Sequence, residues 1–217
     1  MLLLCLDASL ARSGAAIVRL GPGGATVLAE READGGQGQA AQIALLAEAV
    51  LAEAGLTPDG LDAVTATVGP GGFTGIRAAL ALAQGLADGA GVPLIPVTTA
   101  EALAVPRMGP RPVAAVIDSR RGHRFVQLFR SDAGLPLAEG PVAASGPAGL
   151  AAVIPTTAVT VGDAPEATIR ALPHARDLAA IAAARHAGRL PPLAAQPLYL
   201  DPPAARLATG LRPSPAA

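Results

Sequence analysis

The chain has 217 residues, 16 basic and 17 acidic, for a formal net charge of -1. That is long enough for one large domain or two small ones with a real core, and too evenly balanced for strong phosphate-backbone binding. It holds no Lys, no Asn and no Trp, one Cys and three separated His, which excludes a Walker-type phosphate loop, a lysine Schiff base, Ser–Lys hydrolysis and a disulfide framework, and argues against a zinc site.

Residues 2–9 form a nearly continuous apolar run, as expected of a strand covered on both faces. The start lacks the basic residues and the apolar length of a leader, and no window reaches the length of a membrane span; a soluble, cytoplasmic protein without membrane association is expected. Strands over 14–20 and 25–31, the second entered through Gly21-Pro22-Gly23-Gly24, predict an antiparallel meander. A polar, glycine-rich loop over 32–38 gives way to helical spacing over 39–54, where Ile43, Leu46, Ala47, Val50, Leu51 and Ala54 share one stripe and Gly55 stops the helix. A strand is predicted over 61–68, then the loop Gly69-Pro70-Gly71-Gly72-Phe73, a second helix over 74–89 and a strand over 92–97.

A helix over 98–105 leads through a proline-rich joint at 106–112 to strands over 113–118 and 124–130, which pair around Ser119-Arg120-Arg121-Gly122. Beyond them the pattern predicts helices over 148–153, 164–172 and 177–187 and a strand over 157–161. The proline-rich segment from 191 onward is expected to fray.

Three stretches invite chemistry. Glycines at a strand end that opens a helix expose N–H groups suited to an anion, but glycine also lets backbones pack closely. The helix after the loop is lined with small residues nearly all round, and Phe73, one of four aromatics, favours an interface. Asp7 and Ser9 end the first strand, either as an Asx turn or, by fold-level analogy, as metal-phosphate ligands. The Asp118–Arg124 tip, with three arginines, suits a phosphate or a partner's carboxylate, or serves as a solvated turn. No Gly-x-Ser-x-Gly elbow surrounds a serine.

Residues 4–9, Leu51-Ala52-Glu53-Ala54-Gly55-Leu56, Gly69-Pro70-Gly71-Gly72-Phe73-Thr74-Gly75-Ile76-Arg77, 83–86, 116–122 and Leu198-Tyr199-Leu200 together resemble the TsaB (YeaZ) family, partner subunits in tRNA threonylcarbamoyladenosine biosynthesis. The resemblance implies an α/β, actin-like and sugar-kinase-like (ASKHA) fold of two subdomains, each a mixed sheet with flanking helices. The division expected is 1–105, a βββαβα subdomain carrying the partner-binding helices, and 106–217, a smaller subdomain with a Pro/Ala-rich tail. It further implies a non-catalytic scaffold that pairs with a TsaD-like transferase and a TsaE-like ATPase to modify adenosine 37 of ANN-decoding tRNAs, or pairs with itself through the same helices. The tRNA would be held mainly by the partner, no metal or cofactor would be tightly bound, and ATP or ADP could sit at a subunit junction.

Carried onto this chain, the partner surface comprises Gln39, Ile43, Leu46, Ala47, Val50, Phe73, Thr74, Ile76, Arg77, Leu80, Ala83, Gln84 and Ala87. Arginine at Ala83 is then expected to abolish pairing and spare the fold. The chain departs from the family at Gly72, where a serine is usual, at Gln39-Ala40, where His-Ser usually starts the helix, and at His123, where an acidic residue is usual. The alternatives are a stand-alone actin-like ATPase or small-molecule kinase, with Asp7, Ser9, Gly71 and Gly72 on the phosphates, and, behind it, a glycoprotease-like hydrolase.

Overall fold

The protein is described here by a computed structural model covering residues 1–35 and 38–200. Strand β1 (Leu2–Asp7) pairs antiparallel with β2 (Arg12–Gly21), which pairs antiparallel with β3 (Gly24–Asp34). On its other side β1 pairs parallel with β4 (Ala63–Thr67), and β4 with β5 (Leu94–Val97). The five strands lie in the order β3-β2-β1-β4-β5.

Successive side chains of a strand point to opposite faces, and β1 uses both. Leu4 and Leu6, with Ala15 and Ile17 of β2, pack beneath helices α1 (Gln39–Glu53) and α2 (Phe73–Ala90). Leu3 and Cys5, with Ala16 and Val18, pack on the opposite face against α5 (Leu178–His186). That is why the first strand is apolar without alternation. Helix α1 turns Ile43, Ala47, Val50 and Leu51 inward, and α2 turns Ala79, Leu80, Ala83 and Ala87 inward, each at helical spacing, and Ile76 of α2 is buried as well.

A second sheet begins after the proline-rich joint. β6 (Val113–Asp118) and β7 (Arg124–Asp132) form the expected antiparallel pair, and β8 (Leu135–Ala138) continues the meander. β6 also pairs parallel with β10 (Val159–Gly162), and β10 with β11 (Ile169–Arg170). The path β8-β7-β6-β10-β11 repeats the topology of the first sheet, and β9 (Ala143–Ser145) adds on to β7. Two mixed sheets of this order with flanking helices make the actin-like, sugar-kinase-like architecture. Helix α3 (Thr99–Ala104) lies between them, sending Ala102 toward the first core and Ala100, Leu103 and Ala104 toward the second. The short α4 (Leu150–Val153) covers the far face of the second sheet.

Three expectations are corrected. Residues 164–172 form no helix: Pro165 lacks an N–H donor, and Thr168 instead bonds β10, its N–H to Thr160 Oγ1 at 2.8 Å and its hydroxyl to Thr160 O at 3.0 Å, which delivers Ile169 into β11. The stretch from 191 to 200 is held in place: Leu193 packs on the first core, and Leu198 N–H donates to Val68 O at 2.7 Å. The remainder of the tail, 201–217, lies outside the described residues. Finally, α5 belongs by sequence to the second half yet covers the back of the first sheet, so the two halves share a layer.

Candidate functional site

The structure brings Asp7, Ser9, Gly71 and Gly72 together where β1 and β4 end. Asp7, 1% exposed, accepts at Oδ1 from Thr67 Oγ1 (2.6 Å), Ser9 Oγ (2.7 Å) and the Ser9 N–H (3.2 Å). Burial raises its pKa above the usual carboxylate value, and the bonds from Thr67 and Ser9 offset part of that rise. Gly72 N–H donates to Ser9 O at 2.7 Å. A Cβ on Gly71 would stand 2.1 Å from that same oxygen, so only glycine lets the loop cross here. Asp7 Oδ1, Ser9 Oγ and Gly72 N–H are thereby engaged in a brace that ties β1 to the start of α2.

The thirteen expected partner-surface residues divide by burial. Ile43, Ala47, Val50, Leu80, Ala83 and Ala87 are buried in the chain's own core and Ile76 is buried too, and Leu46 is half-buried at the same core. These seven face the chain's own core, because the apolar stripe of each helix is the stripe the chain packs on its own sheet. Arginine at Ala83, which is 0% exposed, would break the fold rather than an interface. Phe73, Thr74, Arg77 and Gln84 are exposed, and Gln39 is the first residue of α1. The outward face of the two helices is made instead of Ala41, Ala44, Leu45 and Glu48 on α1, and Thr74, Arg77, Ala81, Gln84 and Asp88 on α2.

At the N-terminal end of α2 this face carries an aromatic cluster. The Arg77 guanidinium carbon lies 3.7 Å from the Phe73 ring centre and 5.4 Å from that of Tyr199, and Arg77 Nε donates to the Tyr199 hydroxyl. The Phe73 and Tyr199 rings are 5.6 Å apart. Both stay half open to solvent, at 54% and 51%. The Gly69–Pro70 peptide bond, which is cis, precedes this cluster.

The arginine tip is largely committed internally. Arg124 holds Glu166 through two bonds (2.7 and 3.1 Å) and Asp118 through a third (3.0 Å), and Arg120 donates to Asp163 at 2.8 Å. Cys5 is fully buried and burial pushes its thiol pKa far up, with Glu30 and Asp177 adding to the rise, so it has no nucleophilic character. Glu30, Glu32 and His174 lie close together, but Arg176 pairs with Glu30 and Arg12 with Glu32. Guanidinium groups already stand where a cation would. What the sequence did not reveal is a set of arginines drawn from separate elements, Arg12, Arg107 and Arg170, which join Arg120 in one cleft; single arginines scattered over 160 positions leave no spacing signal. No helix among the described residues is long and apolar enough to cross a membrane.

The profile of the TsaD family, described as tRNA N6-adenosine threonylcarbamoyltransferase, matches residues 36–133. The chain is 46% identical over 55 residues to the tRNA threonylcarbamoyladenosine biosynthesis protein TsaB of Haemophilus influenzae, a match that spans 25% of this chain and 23% of that protein. It is 34% identical over 186 residues to an uncharacterized protein of Mycobacterium tuberculosis, spanning 83% of each. Among solved structures it superposes on YeaZ from Pseudomonas aeruginosa with a TM-score of 0.75 and 27% identity, over 91% of this chain and 100% of that one.

Proposed function

The chain belongs to the TsaB (YeaZ) family, and from that premise we propose that it is a non-catalytic subunit in tRNA threonylcarbamoyladenosine biosynthesis. It pairs with a TsaD-like transferase, whose family profile the chain itself matches over 36–133, and through that pair serves a TsaE-like ATPase. The tRNA is held mainly by the partner. The observation that carries this reading is the outward face of α1 and α2, where small side chains flank an exposed Leu45 (64%) and the Phe73–Arg77–Tyr199 cluster. Small side chains allow two helices to approach closely, and aromatics with arginine are the side chains that dominate interface energetics.

Asp7 argues against the ATPase alternative. Its carboxylate is buried, and its Oδ1 already accepts from Thr67 Oγ1, Ser9 Oγ and the Ser9 N–H.

The test is gel filtration with light scattering on the chain mixed with the transferase of the same organism. A one-to-one complex at micromolar concentration is expected, and Ala81→Arg, placed on the outward face, is expected to abolish it with an unchanged circular dichroism spectrum. The absence of any complex, with or without nucleotide, overturns the proposal. A complex that persists with Ala81→Arg moves the interface off this face.

A further inference from the structure

After α5 the chain passes from one face of the first sheet to the other. Leu190 is buried in the core behind the sheet, Leu193 packs on the core beneath α1 and α2, and between them Pro191 O accepts from Arg185 Nε at 2.9 Å. Further on, Leu198 N–H donates to Val68 O at 2.7 Å, and Leu200 reaches the core of the second sheet. Residues 190–200 therefore form a strap anchored at three cores. The Leu198 bond sets its register, and Tyr199 lands on Phe73 and Arg77 at the start of α2.

Arg77 is an isolated cation in an acidic half. Residues 1–105 hold ten acidic side chains and four arginines, of which Arg12 has taken Glu32 and Arg31 has taken Glu53. No carboxylate among the described residues pairs with Arg77. Asp88, the one acid of α2, lies about three turns away with its Oδ1 held by Gln84 at 2.7 Å. What fixes Arg77 is aromatic: its guanidinium carbon lies 3.7 Å from the Phe73 ring centre, and its Nε donates to the Tyr199 hydroxyl.

That hold uses Nε alone. The two terminal nitrogens of the fork, and the proton of the Tyr199 hydroxyl, are donors with no acceptor among the described residues. Stacking has already removed much of the freedom that a surface arginine loses on binding. A fixed set of donors without an acceptor matches a carboxylate, which is planar, accepts only and meets an arginine fork in pairs. Both rings stand half open on an outward helix face, so the carboxylate comes on a protein surface that covers them. Two copies of this chain meeting here would bring two acid-rich halves together, and like-charge repulsion favours an unlike partner.

We propose, given the pairing with a transferase proposed above, that Arg77 receives a carboxylate side chain of that partner and that Tyr199 is the residue that positions Arg77 for it. The partner surface then extends beyond the two helices to a strap residue 122 positions further along the chain.

Isothermal titration calorimetry of the full chain with the transferase of the same organism tests this, at low salt and at about 0.5 M. At low salt Arg77→Gln is expected to raise Kd by at least about tenfold, and Tyr199→Phe, which keeps the ring and removes the hydroxyl, by about threefold. Arg77→Lys, which keeps the charge and loses the fork, should lie nearer to Arg77→Gln than to wild type. Arg19→Gln, exposed on β2, is the control and should bind as wild type. The gap between wild type and Arg77→Gln is expected to narrow as salt rises. A wild-type chain that does not pair overturns the pairing and this assignment with it. Pairing with unchanged affinity in Arg77→Gln, or a gap that salt does not narrow, overturns the carboxylate assignment alone, and wild-type affinity in Tyr199→Phe overturns the positioning role. Self-association lost in Arg77→Gln would place the carboxylate on a second copy, and Arg77-dependent binding of tRNA without the transferase would replace it with a phosphate; either result overturns the proposal. Should the variants fold poorly, the wild type decides. Tyr199 is the one tyrosine of the chain, so 3-fluorotyrosine gives a single fluorine resonance at the site: a shift on forming the complex supports the contact, and an unmoved resonance overturns it.

Discussion

Two residues at the β1–α2 brace separate what a side chain does from what its type suggests. Asp7 sits where an acidic ligand would be expected, yet its Oδ1 is the acceptor for three buried donors. An amide oxygen can take the same three bonds without a charge to desolvate. Asp7→Asn is therefore expected to melt no lower than wild type at pH 7, whereas Asp7→Ala, which strands those donors, loses about 3 kcal/mol. The pH dependence has a definite sign. Below the ordinary carboxylate pKa both folded and unfolded states hold the proton and Asp7 carries no penalty. As pH rises from there to the raised folded-state value, the penalty grows, and above it the penalty is complete. The advantage of Asp7→Asn over wild type should thus widen as pH rises through that window, as urea melts at several pH values would show. Gly72 is the complementary case. It is the N-cap of α2, with φ -66° and ψ 119° and no side-chain cap bond, and a Cβ there would meet nothing nearer than Ser9 O at 3.6 Å. Gly72→Ser should stabilise the protein by a few tenths of a kcal/mol, read as a small rise in Tm.

At the scale of elements, the parts legible in the sequence were those whose neighbours are close in the chain. The β1–β2–β3 meander, both long helices and the β6–β7 pair follow from apolar spacing and glycine stops. The β7–β8 turn escaped because its left-handed residues are Ala133 (φ 49°) and Gly134 (φ 80°), without the Asn-Gly or Asp-Gly pair that marks such turns. The 164–172 segment escaped because alanine-rich spacing reads as helix until Thr160 on a neighbouring strand claims its backbone. Of the residues expected at the partner surface, those on the apolar stripe are buried for a related reason: periodicity finds the apolar stripe of a helix, and in α1 and α2 that stripe is turned inward. Helix α5 shows what distant partners add. Arg185 pairs with Glu101 of α3, both largely buried, and donates to Pro96 O at 2.7 Å, while Glu101 Oε2 also closes the Thr98 capping box. Arg185→Ala would leave Glu101 buried without its cation and is expected to cost about 3–5 kcal/mol, with Glu101→Gln/Arg185→Ala losing less than the sum of the two single changes in chemical denaturation.

On the whole-molecule scale, the repeated sheet topology suggests two separable halves, and the packing denies it. The back of the first sheet is covered by Leu178, Ala179, Ile181 and Ala182 of α5, and the halves are cross-tied by Arg12 to Pro173 O, His174 to Glu32, and Arg176 to Glu30. A fragment ending at residue 105 would expose that face to water. It is expected to lack a cooperative melt by circular dichroism, whereas the full chain should unfold in a single transition; a fragment that melts sharply alone would show the first sheet to be self-sufficient. The same layer holds Cys5, the one thiol of the chain, fully shielded between β1 and α5. A maleimide or disulfide reagent can reach it only after α5 lifts or the strand opens, so the rate of covalent modification under native conditions becomes a clock for that opening. The protein thus carries an internal reporter of how often its two halves part company, with no engineered label required.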